Sequence, residues 1–232
     1  VVRPGSNTTR TAELVRILLG QGVEVELAGS SFVTTNTTDR FGVVSAKPVA
    51  SPGGSLIIRA AQPMGRAVRA YCEFDTKLSD EALLTERESL ERKDESKIYD
   101  TMAWSLPHAL DLDAVWGTLR GEIKTSLIAS ARSSSTLIPA IANPPVAYAV
   151  DAADDSALVF AVRAMDAGLQ VHASDKPFTH EEHTLARGSL LIRRHENDVQ
   201  DLDHLVFDAA HAAGVELRAI YTGRSHDDGP DL

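Results

Sequence analysis

The chain contains two copies of one helix-glycine-strand segment, and this repeat limits its possible folds more than any other feature. The copies run over residues 13–27 and 156–173, and in each a helical spacing of apolar residues ends at a glycine before a strand-like stretch. Matching positions keep a constant offset: Gly22, Val25 and Phe32 in the first copy, and Gly168, Val171 and Phe178 in the second. Because self-similarity of this kind indicates duplicated units, the sequence predicts two related folding units.

A second near-identity follows each copy. Residues 54–59 read Gly-Ser-Leu-Ile-Ile-Arg and residues 188–193 read Gly-Ser-Leu-Leu-Ile-Arg, so five of the six residues agree. Short continuous apolar runs favour strands covered on both faces, as in a parallel sheet, and helices are predicted after them at residues 65–74 and 201–213. The sequence therefore predicts an α/β fold of two related three-layer units with mainly parallel sheets.

The order of these segments also predicts the domain organisation. We expect a first α/β unit at residues 1–120 with a charged excursion at 77–97, a Ser-, Ala- and Pro-rich linker at 121–145, and a second α/β unit at 146–232. Only two residues of an opening strand precede the first helix, and residues 225–232 are rich in turn formers. We expect the chain to be part of a longer polypeptide.

Charge and hydropathy exclude some classes of partner. The chain has 23 Lys and Arg against 33 Asp and Glu, a net charge of −10, which opposes the phosphate-neutralising surface that nucleic acid needs. Its apolar runs fall far short of the roughly 18 residues of a membrane span. We therefore expect no nucleic-acid partner and no membrane span. The single cysteine, Cys72, also excludes an internal disulfide.

Three stretches of the first half resemble a known family in order and spacing. They are Arg3-Pro-Gly with the Leu-Val-x-x-Leu-Leu-x-Gln-Gly-Val-Glu-Val segment, residues 52–63, and residues 99–107. They resemble the C-terminal region that follows the catalytic domain in large bacterial zinc carboxypeptidase-like proteins, which are carboxypeptidase A-type metallopeptidases. Residues 167–171 and 186–192 of the second half are similar to the same region, which resembles class I glutamine amidotransferase-like domains. The resemblance implies an amidotransferase-like or flavodoxin-like fold over residues 1–223.

In that family a His-x-x-Glu pair and a distant His hold the catalytic zinc, and this sequence contains no His-x-x-Glu. The resemblance thus implies that zinc belongs to the parent's catalytic domain outside this chain, and that this segment carries no cofactor. It implies a non-catalytic accessory region that supports or covers that domain, with a peptide or sugar as a further candidate partner. A periplasmic or extracellular location rests on the same resemblance.

Two alternatives stay open. An autonomous carbohydrate- or protein-binding module would use the loops at the carboxyl ends of parallel strands. Its candidate binding residues are Ser30, Ser31, Phe32, Ser174, Asp175 and Phe178. An amidotransferase-like hydrolase would need an exposed thiol on a strand-to-helix elbow, whereas Cys72 lies near a predicted helix end between bulky residues, which favours a buried structural thiol.

Several polar residues have both a functional and an ordinary interpretation. His180 and His183 flank two glutamates and can mark a metal site or a solvated loop. His204, Asp208 and His211 share one helix face, which predicts solvent exposure and leaves a metal site as the alternative.

The remaining candidates are predicted to be structural. Ser105 lacks the Gly-x-Ser-x-Gly elbow, and Trp104 and Trp116 either anchor their segment or line a groove. Gly53 and Gly54 precede a strand, so they predict a turn and not a phosphate-binding loop.

Overall fold

The computed structural model describes residues 1–74, 79–93, 96, 105–130, 143–180 and 183–223. The chain forms two compact units, the first from Val1–Pro4 and Leu14–Ser130 and the second from Gly5–Glu13 and Ala131–Leu232. Parts of the predicted charged excursion, residues 131–142 of the predicted linker and residues 224–232 lie outside the described residues.

Helix α1 (Thr8–Gly20) begins in the second unit and ends in the first. The other elements of the first unit are β1 (Glu26–Ala28), β2 (Phe32–Asp39), β3 (Val44–Ser45), β4 (Val49–Ser51), β5 (Leu56–Ile57), α2 (Gly65–Cys72), α3 (Asp80–Lys93), α4 (Leu106–Ala109), β6 (Val115–Arg120) and β7 (Thr125–Leu127). Those of the second unit are β8 (Ala147–Val150), α5 (Ala157–Asp166), β9 (His172–Ala173), β10 (Phe178–His180), β11 (His183–Leu185), β12 (Leu190–Arg193), a 3-10 turn (Arg194–Glu196), α6 (Leu202–Ala213) and β13 (Arg218–Ile220).

The second unit is built on a sheet with the strand order β13-β8-β12-β9, in which every neighbouring pair is antiparallel. Strands β8 and β9 therefore run in the same direction with β12 between them, and helix α5 connects them. Strands β12 and β13 are related in the same way around β8, with α6 as the connection. This β-α-β-β-α-β connectivity is the split arrangement of the ferredoxin-like fold.

The first unit repeats this connectivity with additions. Val2 pairs with Leu56 of β5 and with Ala114 just before β6, while β5 also pairs with β1 and β1 with β7. Strands β2, β3 and β4 form a further antiparallel sheet with β6. Most of this sheet comes from the segment between Phe32 and Pro52, the insertion that lengthens the first copy of the repeat.

The predicted fold class is wrong in its central feature. Every strand pair among the described residues is antiparallel, so neither unit has the mainly parallel three-layer sheet of an amidotransferase-like or flavodoxin-like fold. Strand β12 shows why the sequence misled. Its Ile192 packs with the helices on one face, while Leu191 packs with Phe178 and Leu185 of the β10–β11 hairpin on the other. The apolar run therefore indicates that both faces of the strand are buried, but it does not indicate whether the neighbouring strands are parallel or antiparallel to it.

The repeated segments have matching backbone hydrogen bonds in the two units. Gly54 donates its N–H to Ala28 O at 2.8 Å, and at the same place in the other unit Gly188 donates to Ser174 O at 2.8 Å. Both glycines have positive φ angles of +84° and +90°, which favour glycine. The predicted turn at Gly53 and Gly54 is thus confirmed.

A side-chain amide holds the same place in each unit. Gln62 accepts the Glu24 N–H at 2.7 Å and donates to the carbonyls of Glu24 and Arg59 at 3.1 and 2.8 Å. In the second unit Asn197 accepts the Gln170 N–H at 2.7 Å and donates to the carbonyls of Gln170 and Arg193 at 3.3 and 2.9 Å. Each amide ties the segment before one strand, β1 or β9, to the end of the strand that pairs with it, β5 or β12.

Candidate functional site

The candidate binding residues of the first unit do not form one exposed surface. Ser30 and Ser31 are exposed in the loop between β1 and β2. Phe32 is 8 % exposed and packs with Ala28 and Ile57. Its burial places the ring in the core.

The candidate binding residues of the second unit lie at the corresponding turn. Ser174 is buried, and its Oγ donates to Lys176 O at 2.5 Å, while Asp175 beside it is exposed. Phe178 is buried against Ala149 and Leu191. The parallel sheet that suggested a crevice here is absent from the described residues, so the binding role of these residues stays a prediction without that support.

Cys72 is the last residue of α2 and is 6 % exposed, which confirms the predicted buried thiol. Burial raises its pKa to about 11, so little thiolate exists at neutral pH. Ser105 is also buried, just before α4, and its hydroxyl has no hydrogen-bond partner among the described atoms. Trp104 lies outside the described residues.

The histidine candidates lie on two different elements, the β10–β11 pair and helix α6. His180 and His183 face each other across the β10–β11 pair, where His180 is buried with its Nε2 3.2 Å from Thr222 Oγ1 and His183 is exposed. The two glutamates between them lie outside the described residues. His204, Asp208 and His211 are exposed along α6, as predicted. Within the described ranges, no three His, Cys, Asp or Glu side chains are grouped as a metal site requires.

The buried polar groups of the second unit bind backbone and one another. Asp154 is 6 % exposed and accepts the N–H groups of Thr8 and Thr9 at 2.9 and 3.2 Å, at the start of α1. It also accepts the hydroxyls of these threonines at 2.8 and 2.5 Å, and the Ser156 N–H at 2.9 Å. Burial raises the pKa of Asp154, but these hydrogen bonds outweigh that effect and lower it below its ordinary value. The carboxylate caps a helix start that would otherwise leave N–H groups unpaired.

A second, partly buried network joins the sheet of this unit to α6. Tyr148 is 1 % exposed and donates its hydroxyl to Asp203, which is also paired with Arg194. Arg194 further donates to Pro145 O at 2.7 Å. Burial, followed by the hydrogen bond to Asp203, raises the pKa of Tyr148. The tyrosine therefore stays protonated, and the network fixes the helix on the sheet.

The first unit has an open cleft beside Trp116, between the end of β5, α2 and β6. It has a volume of about 310 Å³ and is lined by Arg59, Arg69 and Trp116 among others. The Arg69 guanidinium carbon lies 5.7 Å from the Trp116 ring centroid, which is a cation–π distance. Arg59 donates to both carboxylate oxygens of Glu26 at 2.7 and 3.1 Å. This cleft agrees with the alternative in which Trp116 lines a groove.

The comparisons with known proteins give no identification: the chain matches no protein-family model, no curated protein and no solved structure. None of the helices in the described part of the chain combines the length and the apolar character that crossing a membrane requires.

Proposed function

We propose that this chain is a non-catalytic accessory region of a zinc carboxypeptidase-like protein and supports or covers a catalytic domain outside the chain. Zinc-assisted removal of C-terminal residues from peptides would be the reaction of that other domain. The family assignment rests on the sequence resemblance over residues 1–223, and the structural support comes from how the polar residues are used.

The main support is that side chains of types that often act in catalysis are engaged in structural hydrogen bonds or buried. Asp154 is surrounded by donors at the start of α1, and Asp203 is held between Tyr148 and Arg194. Cys72, the thiol that an amidotransferase-like hydrolase would need, is buried with a raised pKa. Such saturated networks favour a stable scaffold, because a catalytic group must remain able to exchange partners with a substrate.

The experiment compares the complete polypeptide with a version that lacks this region. If the region supports the catalytic domain, its removal lowers the melting temperature of that domain by several degrees and lowers kcat/KM for a C-terminal peptide substrate. The isolated chain with added zinc should release no C-terminal residue above the buffer rate. An unchanged catalytic domain after removal, or turnover by the isolated chain, would contradict the proposal.

The cleft beside Trp116 favours a second candidate, a carbohydrate- or protein-binding module. A half-buried indole with an arginine next to it offers a stacking surface and a hydrogen-bond donor. Titration with a short cell-wall oligosaccharide or a peptide should change the tryptophan fluorescence, and the change should disappear in Trp116→Phe. Asp175→Ala, at the predicted loop site, tests the alternative location. If only that variant loses binding, the cleft is not the site.

A further inference from the structure

One edge of the sheet in the second unit has no partner strand among the described residues, although the matching edge of the first unit has one. In the first unit β1 is paired on both sides, with β5 and with β7, and its Leu27 lies opposite Leu56 of β5. In the second unit β9 takes the place of β1, and its Ala173 lies opposite Leu190 of β12. Over the described ranges, no strand pairs with the other side of β9. The duplicated fold therefore has a position for one more strand at this edge.

The backbone groups on the open side of β9 correspond to groups that are bonded in the first unit. There the Gly29 N–H and the Val25 carbonyl each bond at 2.9 Å to a residue adjoining β7. The constant offset of the repeat makes Asp175 and Val171 the counterparts of Gly29 and Val25. Within the described part of the chain, the Asp175 N–H and the Val171 carbonyl have no hydrogen-bond partner. Unpaired groups along a sheet edge are a template for an added strand.

Helix α5 has an exposed apolar face beside this edge. Leu158, Val162 and Met165 recur at helical spacing and are 75 %, 54 % and 54 % exposed. Because α5 connects β8 to β9 whereas α6 connects β12 to β13, α5 is the helix nearer the open edge. The matching helix of the first unit, α1, has Arg16 at the position of Val162. An exposed apolar cluster of this kind is typical of a surface that binds a partner.

The two faces of β9 define the side chains that a bound strand needs. Ala173 lies opposite Leu190, which packs against the core beneath α5 and α6, so Ala173 is on the helix face of the sheet. His172 is on the other face, where its Nε2 lies 2.5 Å from a Glu196 carboxylate oxygen. A residue opposite Ala173 therefore lies on the side of the apolar α5 face, and its two neighbours lie on the polar side. A strand with alternating apolar and polar residues fits both faces.

We propose that the open edge of β9 binds an extended segment of a partner protein as an added antiparallel strand, with an apolar side chain opposite Ala173. The first unit supports this occupant, because β7 lies antiparallel on the matching edge, with Ser126 opposite Leu27. The α5 face favours an apolar residue at the place of that serine. Residues 224–232 of this chain contain a single large apolar residue, Leu232, and so match the α5 face poorly. The proposal is independent of the accessory role.

The experiment uses a fluorescent peptide that copies residues 123–129, the β7 segment, with Ser126→Val so that a valine lies opposite Ala173. Titration of the full chain, followed by fluorescence polarisation, should show saturable binding. Amide chemical shifts of the chain should change mainly at residues 171–175 and in α5. The peptide with the original serine should bind about fivefold more weakly, because it lacks the apolar contact with α5.

Methylation of the peptide backbone tests whether the peptide binds as a strand. N-methylation at position 126, whose N–H faces β9, should abolish binding, whereas N-methylation at position 125, whose N–H faces away, should change the affinity less than about twofold. In the chain, Leu158→Gln should weaken binding about tenfold. The matched control is Leu84→Gln, at an exposed helical leucine of the first unit, and it should leave binding unchanged.

Other occupants of the edge give different results. Binding that requires removal of residues 224–232 would assign the edge to the end of this chain. A chain dimer that the peptide dissociates would assign it to a second copy. Either result would overturn the proposal, as would no saturable binding, equal losses on methylation at the two positions, or shifts at β1 in place of β9.

Discussion

Asp111 occupies the left-handed position at the end of α4 that Gly214 occupies at the end of α6 in the second unit, with the same two backbone hydrogen bonds around it. The φ angles are +53° and +72°. One unit therefore uses the residue that fits this conformation without strain, and the other uses a charged residue that pairs with Arg40. The comparison separates two effects on stability: the cost of the left-handed backbone conformation at Asp111 and the contribution of its ion pair.

The first prediction measures that cost directly. Asp111→Gly and Asp111→Ala remove the same ion pair, but only glycine relieves the left-handed strain, so the glycine variant should be more stable by about 1 kcal/mol. Urea denaturation of both variants gives the difference in the free energy of unfolding. Equal stabilities would mean that the backbone at residue 111 is not strained.

The second prediction concerns the cap of α1. Asp154→Ala leaves the N–H groups and hydroxyls of Thr8 and Thr9 without their acceptor in a mostly buried place, and should cost about 3 kcal/mol of unfolding free energy. Asp155→Ala removes an exposed carboxylate next to it and should cost no more than about 1 kcal/mol. A small effect of Asp154→Ala would show that water replaces the carboxylate.

The same carboxylate predicts a pH dependence. The pKa of Asp154 is lowered in the folded chain, so its contribution is fully present above its ordinary value of 3.8 and is lost as the pH falls through the folded value. The stability difference between wild type and Asp154→Asn should therefore be constant from pH 7 to about pH 5 and shrink below about pH 4. Urea titrations across this range test the sign. A difference that grows on acidification would contradict it.

A further prediction concerns the reactivity of the Cys72 thiol. A pKa of about 11 against an ordinary 9.0 reduces the thiolate fraction about a hundredfold, and burial hinders the reagent further. At pH 8 a disulfide reagent should react with the native chain at least about a hundredfold more slowly than with the chain in urea. Equal rates would place the thiol at the surface and revive the hydrolase alternative.

The paired amides give a prediction that compares the two units. Asn197 is 5 % exposed, so Asn197→Ala should cost about 2 to 3 kcal/mol, because three backbone groups lose their partner without access to water. Gln62→Ala removes equivalent bonds at a half-buried position and should cost about 1 kcal/mol. Chemical denaturation of both variants is sufficient. A larger loss of unfolding free energy in Gln62→Ala than in Asn197→Ala would contradict this prediction.

The sequence predicted the duplication and the order of helices and strands well, because helix periodicity and left-handed glycines are local signals. Helices were expected at residues 65–74 and 201–213, and the structure has them at Gly65–Cys72 and Leu202–Ala213. The direction of neighbouring strands is a long-range property. A run such as Leu190–Arg193 looks the same whether its buried faces lie in a parallel or an antiparallel sheet.

The ion pairs of Arg3 with Asp113 and of Arg40 with Asp111 were not predicted, since their residues come from distant segments and their pairing has no local pattern. A usable signal was present in the insertion between Phe32 and Pro52, which places Asp39, Arg40 and Phe41 outside the repeated framework. Comparison of the two copies, and not either copy alone, identifies the unusual residues.

The central claim is that this chain is an accessory region without a catalytic metal of its own, and its most direct test is the zinc content of the purified chain after dialysis against metal-free buffer. The account predicts fewer than about 0.1 zinc per chain, because a catalytic site requires clustered ligands. Close to one tightly held zinc per chain, lost on substitution of His180, His183, His204 or His211, would contradict it.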